Sequence, residues 1–321
     1  MTGIQVEDLS KTYRRGLAGE RVRALIDVSL TIAPGEAFGI IGPNGAGKTT
    51  FLACLLGFLR PDAGRITIDG HAPDDLAVRA RTGYLPERLV LDRWMNGYEF
   101  LAYHDALARL PAARRREEVE GALDRVGLGG EAGQRTIRRY SRGMLQRLGL
   151  AQAMLGRPRY LFLDEPASGV DPAGVVLFRR LLSELASRDV TVILNSHQLD
   201  QVERVCDRVA FVKAGRVEAI ETVAAGAAHA RVLRVRAADQ AIGTRVTHEH
   251  LAALATGAGG ALIGVDPPEA RFTVADDAGA ARLLQALIGA GVPVAEATPE
   301  ESRLERLFVD APAEPPAGGP S

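Results

Sequence analysis

The sequence contains little cysteine, no excess of charge of either sign and no long hydrophobic run. Only two of its 321 residues are cysteines, Cys54 and Cys206, which excludes a disulfide framework and favours the reducing cytoplasm. Its 39 Lys and Arg residues are balanced by 40 Asp and Glu residues, a net charge of −1, so we expect no nucleic-acid partner. The longest apolar stretch, Phe51–Phe58, contains Gly57 and is much shorter than the roughly 20 residues of a membrane helix. We therefore expect a globular chain that does not itself cross a bilayer.

The length exceeds what one hydrophobic core usually spans, so we expect two domains. Residues 1–222 alternate between strand-like and helical patterns, with an inserted helical subdomain at about 93–156. An Ala-rich linker is predicted at 223–230 and a small accessory domain at 231–309. The Pro-rich stretch 310–321 cannot bury apolar area and is predicted to be a disordered tail.

Short β-branched runs in the first domain predict buried parallel strands. These runs are Ala37–Ile41, Tyr160–Leu163, Thr191–Leu194 and Val209–Val212. Half-buried strands of an antiparallel edge are predicted by three further segments, Ile4–Val6, Leu25–Ile32 and Arg65–Ile68. The predicted fold class is therefore α/β, with a mostly parallel sheet, an antiparallel edge and an inserted helical subdomain.

The residues after the linker predict a small α+β domain. Their patterns follow the order strand, helix, strand, strand, helix, strand, which is that of a split βαβ sandwich. The predicted elements are strand 232–236, helix 248–256, strand 261–265, strand 271–274, helix 278–289 and strand 292–296. A last short helix from Pro299 would carry Leu304, Leu307 and Phe308 on one face.

A glycine-rich segment follows the strand Ala37–Ile41 and opens a helix. We call it the phosphate loop, and it consists of Gly42, Pro43, Asn44, Gly45, Ala46, Gly47, Lys48, Thr49 and Thr50. Its pattern G-x-x-x-x-G-K-[ST] turns backbone N–H groups inward and adds the positive end of a helix dipole. Lys48 would contact the β- and γ-phosphates of a nucleotide, and the Thr49 hydroxyl would be a ligand of Mg²⁺.

Two carboxylates stand at the carboxyl end of the strand Tyr160–Leu163. Ligands of open α/β sheets bind at this edge. Asp164 is predicted to hold Mg²⁺, directly or through water. Glu165 is predicted to act as the general base that polarises an attacking water.

The order of these motifs resembles that of the ATP-binding cassette (ABC) ATPases, the nucleotide-hydrolysing subunits of ABC transporters. The resemblance covers about residues 4–222 and implies a P-loop ATPase core that uses ATP and Mg²⁺. Residues 141–145, here called the signature segment, occupy the position at which the family contacts the γ-phosphate held by a second cassette. The resemblance assigns that contact to Ser141 and Gly143.

Three further residues are assigned by the resemblance alone. His197, in Asn195-Ser196-His197, matches the switch histidine that contacts the γ-phosphate. Asp171, in Ser168–Asp171, matches the loop that contacts the second cassette. Tyr13 matches the aromatic residue that stacks on adenine.

The sequence departs from the family pattern at two places. Arg142 and Met144 replace the Gly and Gln of the usual Ser-Gly-Gly-Gln signature. Glu87 takes the position of the switch glutamine, and its carboxylate makes it a further candidate for nucleotide binding and Mg²⁺ ligation. Both departures are similar to those of an exporter subfamily that moves drugs, lipids or polysaccharides and often carries a C-terminal extension.

The resemblance implies the ATP-binding and hydrolysing subunit of an ABC export system. Two copies would pair head to tail around two ATP, at the inner face of the cell membrane, and drive separate membrane permease subunits. The aromatic stretch Trp94–Tyr103 lies where the family binds its membrane partner, although core packing explains it equally well. The alternatives are a soluble ABC ATPase without a transport role and an importer cassette with a regulatory C-terminal domain.

Overall fold

A computed structural model describes residues 2–15, 20–108, 112–168, 170, 172–186, 189–223, 231–239 and 241–299. The described residues up to Val223 form one compact unit, and those from 231 to 299 form another. Three sequence predictions lie outside the described residues: most of the linker, the helix from Pro299 and the disordered tail. They stay predictions.

The first unit contains two sheets. Its strands are β1 (Ile4–Arg15), β2 (Glu20–Ile32), β3 (Ala37–Ile41), β4 (Ala63–Ile68), β5 (Thr82–Leu85), β6 (Tyr160–Asp164), β7 (Thr191–Asn195), β8 (Arg208–Lys213) and β9 (Arg216–Thr222). The larger sheet has the order β5–β6–β7–β3–β8–β9. Its strands pair in parallel from β5 to β8, and β9 joins antiparallel. This arrangement confirms the mostly parallel sheet, and the continuous burial of β3, β6 and β7 explains their apolar sequences.

The larger sheet has an antiparallel edge strand, β9, but the three segments predicted for this edge form an antiparallel sheet of their own. This smaller sheet has the order β2–β1–β4, and Ile4 of β1 lies opposite both Ile32 and Ile68. These side chains share one hydrophobic core with Phe51 of the helix after the phosphate loop and Phe38 of β3. The alternating pattern identified the buried face of each strand but not the sheet to which it belongs.

The first unit also contains helices, some of which form an insertion between β5 and β6. They are α1 (Lys48–Leu55), α2 (Leu76–Arg79), α3 (Gly97–Leu107), α4 (Arg115–Arg125), α5 (Glu131–Gln134), α6 (Arg142–Ala153), α7 (Pro172–Ala186) and α8 (Leu199–Glu203). The insertion comprises α3 to α6 and two short 3₁₀ turns. Within the aromatic stretch Phe100 is buried, whereas Trp94 and Tyr103 are exposed. Among the described residues, none of the helices combines the length and the apolar character that a bilayer crossing requires.

The second unit is an antiparallel sheet with helices packed on it. Its elements are β10 (Arg231–Ala237), α9 (Ala241–Thr244), α10 (His248–Gly257), β11 (Ala261–Asp266), β12 (Glu269–Val274), α11 (Asp277–Gly289) and β13 (Val294–Pro299). The sheet order is β11–β12–β10–β13, and Leu251 and Leu283 of the helices share a core with Phe272 of β12. All six predicted elements are present in the predicted order, which confirms the α+β fold of this unit.

Candidate active site

The phosphate loop lies so close to neighbouring strands that two of its positions accept only glycine. A Cβ atom at Gly47 would lie 2.2 Å from the carbonyl oxygen of Ala24, and one at Gly42 would lie 2.0 Å from that of Val212. Gly47 also has a left-handed backbone, with φ of 104°, and immediately precedes α1. The loop therefore brings its backbone N–H groups and the positive end of α1 to one place.

The Lys48 ammonium is buried over this loop. Its Nζ atom donates hydrogen bonds of 2.8 Å and 2.9 Å to the carbonyl oxygens of Gly42 and Pro43. Burial lowers the pKa of Lys48, while the charges of Glu165 and Asp164 raise it. An ammonium group has three donors, so the two loop bonds leave one N–H for a phosphate oxygen.

Asp164 and Asn195 face each other at the carboxyl ends of β6 and β7. They are partners in the parallel register, and the Asn195 Nδ2 atom donates a hydrogen bond of 2.6 Å to Asp164 Oδ1. Burial raises the pKa of Asp164, and the hydrogen bond from Asn195 lowers it. The negative charges of Glu87 and Glu165 also raise this pKa, and the positive charge of Lys48 lowers it. Asn195 thus orients the carboxylate and favours its charged form.

Glu165 begins the turn after β6 in a left-handed conformation, with φ of 48°. Its backbone N–H donates to the carbonyl oxygen of Asn195 at 2.9 Å. Its Oε2 atom lies 2.8 Å from His197 Nδ1 and 3.5 Å from the Ser196 hydroxyl. The carboxylate is therefore held by the segment that follows β7.

One cleft of about 520 Å³ brings most of the candidate residues together. Its lining includes these predicted residues: Tyr13, Asn44, Gly45, Gly47, Lys48, Thr49, Thr50, Glu87, Asp164, Glu165 and His197. Tyr13 is partly exposed, and its hydroxyl lies 3.5 Å from that of Thr50. Pockets for small ligands have volumes of about 300–1,000 Å³, so the cleft is large enough for a nucleotide.

The signature segment does not line this cleft. Ser141 caps α6, since its hydroxyl oxygen accepts a hydrogen bond of 3.2 Å from the Met144 N–H. A Cβ atom at Gly143 would meet no atom within 4 Å. Both predicted residues therefore face open space, at the beginning of a helix. Asp171 lies outside the described residues, and its assignment stays a prediction.

Five residues that line the cleft were not predicted as site residues: Val22, Arg23, Ala24, Ser168 and Asn195. Of these, Asn195 directly contacts Asp164. A signal for Asn195 was present, because it is the first polar side chain after the buried run Val192–Leu194 of a predicted strand. The strand pairing that places it beside Asp164 is a long-range property.

The donors in the cleft fit a magnesium ion. Mg²⁺ prefers hard oxygen ligands, keeps several waters and is typically bound by one or two carboxylates and by phosphates. Thr49 supplies a hydroxyl and Asp164 a carboxylate in the same cleft. Glu87 lines the cleft too, and its charge acts on Asp164.

Several known proteins are similar to this chain. Residues 25–168 match the family model described as ABC transporter. An uncharacterized ABC transporter ATP-binding protein of Nostoc sp. is 42% identical over 216 residues, 67% of this chain and 64% of that protein. Daunorubicin resistance ATP-binding protein DrrA3 of Streptomyces coeruleorubidus is 39% identical over 218 residues, 67% of each chain. Methionine import ATP-binding protein MetN 2 of Yersinia pestis is 36% identical over 221 residues, 67% of this chain and 66% of that protein.

A similar solved structure is that of the dimeric ATP-binding cassette MJ0796 in a post-hydrolysis state, bound to ADP and Pi. Its TM-score is 0.63 at 25% identity, and the similarity covers 68% of this chain and 98% of that one. The chain spans less than two thirds of the length of the Nostoc relative, 64%. The similarities to these three relatives and to this structure cover about two thirds of the present chain.

Proposed function

This chain belongs to the family of ABC transporter ATP-binding proteins, and we propose that it binds ATP with Mg²⁺ and hydrolyses it in the cleft beside the phosphate loop. The observation that carries the proposal is the convergence of Lys48, Thr49, Asp164, Glu165 and His197 on one cleft. Phosphoryl transfer to water requires a phosphate cradle, a cation, a metal-binding carboxylate and a group that orients the water.

In the proposed reaction, water attacks the γ-phosphorus and the bond from that phosphorus to the β–γ bridging oxygen breaks. Glu165 accepts the proton of the attacking water, and ADP departs with the electron pair on its terminal oxygen. Lys48 and the N–H groups of the phosphate loop neutralise the charge of the β- and γ-phosphates. Thr49 and Asp164 would hold Mg²⁺ in this cleft, and the ion would supply further charge neutralisation. His197 holds Glu165 in place through their contact of 2.8 Å.

We propose that a complete site needs a second cassette, most simply a second copy of this chain. The support is the separation of the two parts within one chain, because the cleft lining includes no described residue of the signature segment. Ser141 caps α6 and Gly143 lies in the first turn of this helix. A Cβ atom at Gly143 would meet no atom within 4 Å, which leaves room for an anion at the N-terminus of the helix. In a head-to-tail pair, each signature segment would contact the γ-phosphate in the other chain.

A transport role requires membrane permease subunits, and we propose that these are separate chains. The exposed side chains of Trp94 and Tyr103 supply aromatic anchors of the kind that dominate protein interfaces. The protein would then act from the cytoplasm, at the inner face of the cell membrane.

We propose export as the direction of transport. The support is the set of departures at Arg142, Met144 and Glu87, which resemble those of an exporter subfamily, and the relative named for daunorubicin resistance. The relative named for methionine import makes an importer the second candidate.

The substitution Glu165→Gln tests the proposed ATPase. Removing a general base typically slows a reaction by about 10²–10⁴-fold, so we expect the rate of phosphate release to fall by a factor in that range. ATP should still bind, and an ATP-dependent dimer should accumulate in size-exclusion chromatography.

Glu131→Gln is the matched control, because Glu131 is exposed and pairs with Arg135 far from the cleft residues in sequence. It should hydrolyse ATP at the wild-type rate. Wild-type turnover by Glu165→Gln would remove Glu165 from the role of general base.

A further inference from the structure

Ser168 belongs to two features of the structure at once. It lines the cleft, and its hydroxyl oxygen accepts a hydrogen bond of 3.1 Å from the Nη2 atom of Arg142. Arg142 is the first residue of α6 and directly follows Ser141. A residue of the cleft therefore contacts the signature segment of the same chain.

The backbone of Ser168 is tied to the candidate general base. Its N–H donates a hydrogen bond of 3.0 Å to the carbonyl oxygen of Glu165. Two hydrogen bonds in sequence thus connect the end of β6 to the residue beside Ser141. A change in the turn after Glu165 can therefore be transmitted to the signature segment through these two hydrogen bonds.

A second support holds the signature segment from the other side. The Arg147 side chain donates to the carbonyl oxygens of Gly143 at 3.4 Å and of Val126 and Gly127 at 3.3 Å. These bonds join the segment to the end of α4. Of the two supports, only the one through Arg142 leads to the cleft.

The Arg142 contact is suited to rearrangement. Within the described part of the chain, Arg142 makes no ion pair, and its hydrogen bond is to a neutral hydroxyl at an exposed position. Such bonds contribute little net free energy because water replaces them readily. A ligand in the cleft can therefore alter the link without disrupting the fold.

We propose that Arg142 is a positioning residue that couples a chain's own ATP site to the signature segment it offers to its partner. The inference rests on the proposed function, in which each signature segment completes the site of the other chain. ATP bound in one cleft would shift Ser168, and Ser168 would shift Arg142 through their hydrogen bond. The position of Ser141 at the second ATP would change as a result. The two sites would then bind and hydrolyse ATP cooperatively.

The test is a double-mutant cycle on the full chain with Arg142→Ala, Ser168→Ala and the double variant. Phosphate release is measured against ATP concentration, because two sites limit the Hill coefficient to about 2. We expect a wild-type coefficient clearly above 1. Each single variant should lower it to about 1, and the double variant should lower it no further, since both remove one interaction. Ser168→Thr keeps the hydroxyl and should retain the wild-type steepness.

Arg139→Ala is the matched control, since it removes an exposed positive charge three positions before Arg142 and should leave the steepness unchanged. Thermal unfolding checks that all variants are folded. A wild-type coefficient of about 1, or one unchanged in Arg142→Ala and Ser168→Ala, would overturn the coupling and leave the proposed ATPase intact. A wild-type chain that releases no phosphate would overturn both.

Discussion

The Nδ1 atom of His197 lies 2.8 Å from the Oε2 atom of Glu165, with the imidazole half exposed and the carboxylate mostly buried. The backbone N–H of Glu165 donates a hydrogen bond to the carbonyl oxygen of Asn195. Glu165 is thus held by the last residue of β7 and by the segment that follows that strand. This contact gives His197 a role that its family position did not suggest, because it sets the position of the carboxylate.

We predict that His197→Ala slows ATP hydrolysis with little effect on KM. A misplacement of a catalytic group by about 1 Å can cost about 10²-fold in rate, so kcat should fall by about that factor. The measurement is kcat and KM for phosphate release at saturating Mg²⁺. His250→Ala changes an exposed histidine of the second unit and should leave both constants unchanged. A large rise in KM with unchanged kcat would assign His197 to ATP binding instead.

Asn195→Ala should move the acidic limb of the pH–rate profile to higher pH. Burial raises the pKa of Asp164 and the Asn195 hydrogen bond opposes it, so losing the bond raises that pKa further. The ionised form that holds Mg²⁺ would then appear only at higher pH. Asn195→Asp should shift the limb in the same direction, because it adds a second carboxylate. The profile is measured at limiting Mg²⁺, and an unmoved limb would contradict the role assigned to Asn195.

Glu87→Gln should move the same limb in the opposite direction. The Glu87 charge is one of the causes that raise the pKa of Asp164, and glutamine removes that charge without a large change in shape. Hydrolysis should therefore persist to lower pH than in the wild type. The Mg²⁺ concentration for half-maximal rate distinguishes two roles: it rises if the Glu87 carboxylate ligates the ion, and it does not rise if Glu87 acts only through its charge.

Local patterns predicted the parts of the fold that depend on neighbouring residues. Ala37–Ile41 is a strand with the predicted bounds, because a short, continuous apolar run is typical of a parallel strand that is buried on both faces. Helix 248–256 was likewise found within one residue, as His248–Gly257, since Thr247 caps it and its apolar residues recur at helical spacing.

Long-range pairing accounts for what the sequence did not predict. The side chain of Asn195 meets Asp164 because β6 and β7 run side by side in register, although 31 residues separate them. The bond from Arg142 to Ser168 joins a helix start to a turn 26 residues later. Neither contact follows from a local sequence pattern. The residues of recognised motifs were therefore predictable, whereas Asn195, Ser168 and Arg142, which support them, were not.

Gly143 offers a way to block the signature segment without disturbing the chain that carries it. A Cβ atom there meets nothing within 4 Å, and an acidic side chain is favourable in the first turn of a helix. Gly143→Asp should therefore fold normally but place a negative charge against the γ-phosphate of the partner's ATP. Lys48→Ala disables the phosphate loop instead, so each variant alone should be inactive.

Mixing these two inactive variants tests most directly whether each ATP is held by two chains. In a pair of one Lys48→Ala chain and one Gly143→Asp chain, one site combines both defects and the other combines none. Random pairing of equal amounts makes about half of the dimers mixed, and each mixed dimer has one intact site of two, so the mixture should recover up to about one quarter of the wild-type rate of phosphate release. The recovered rate is lower if the disabled cleft of the Lys48→Ala chain weakens the signature segment that this chain offers. A mixture no more active than the average of the two variants measured separately would contradict the shared site.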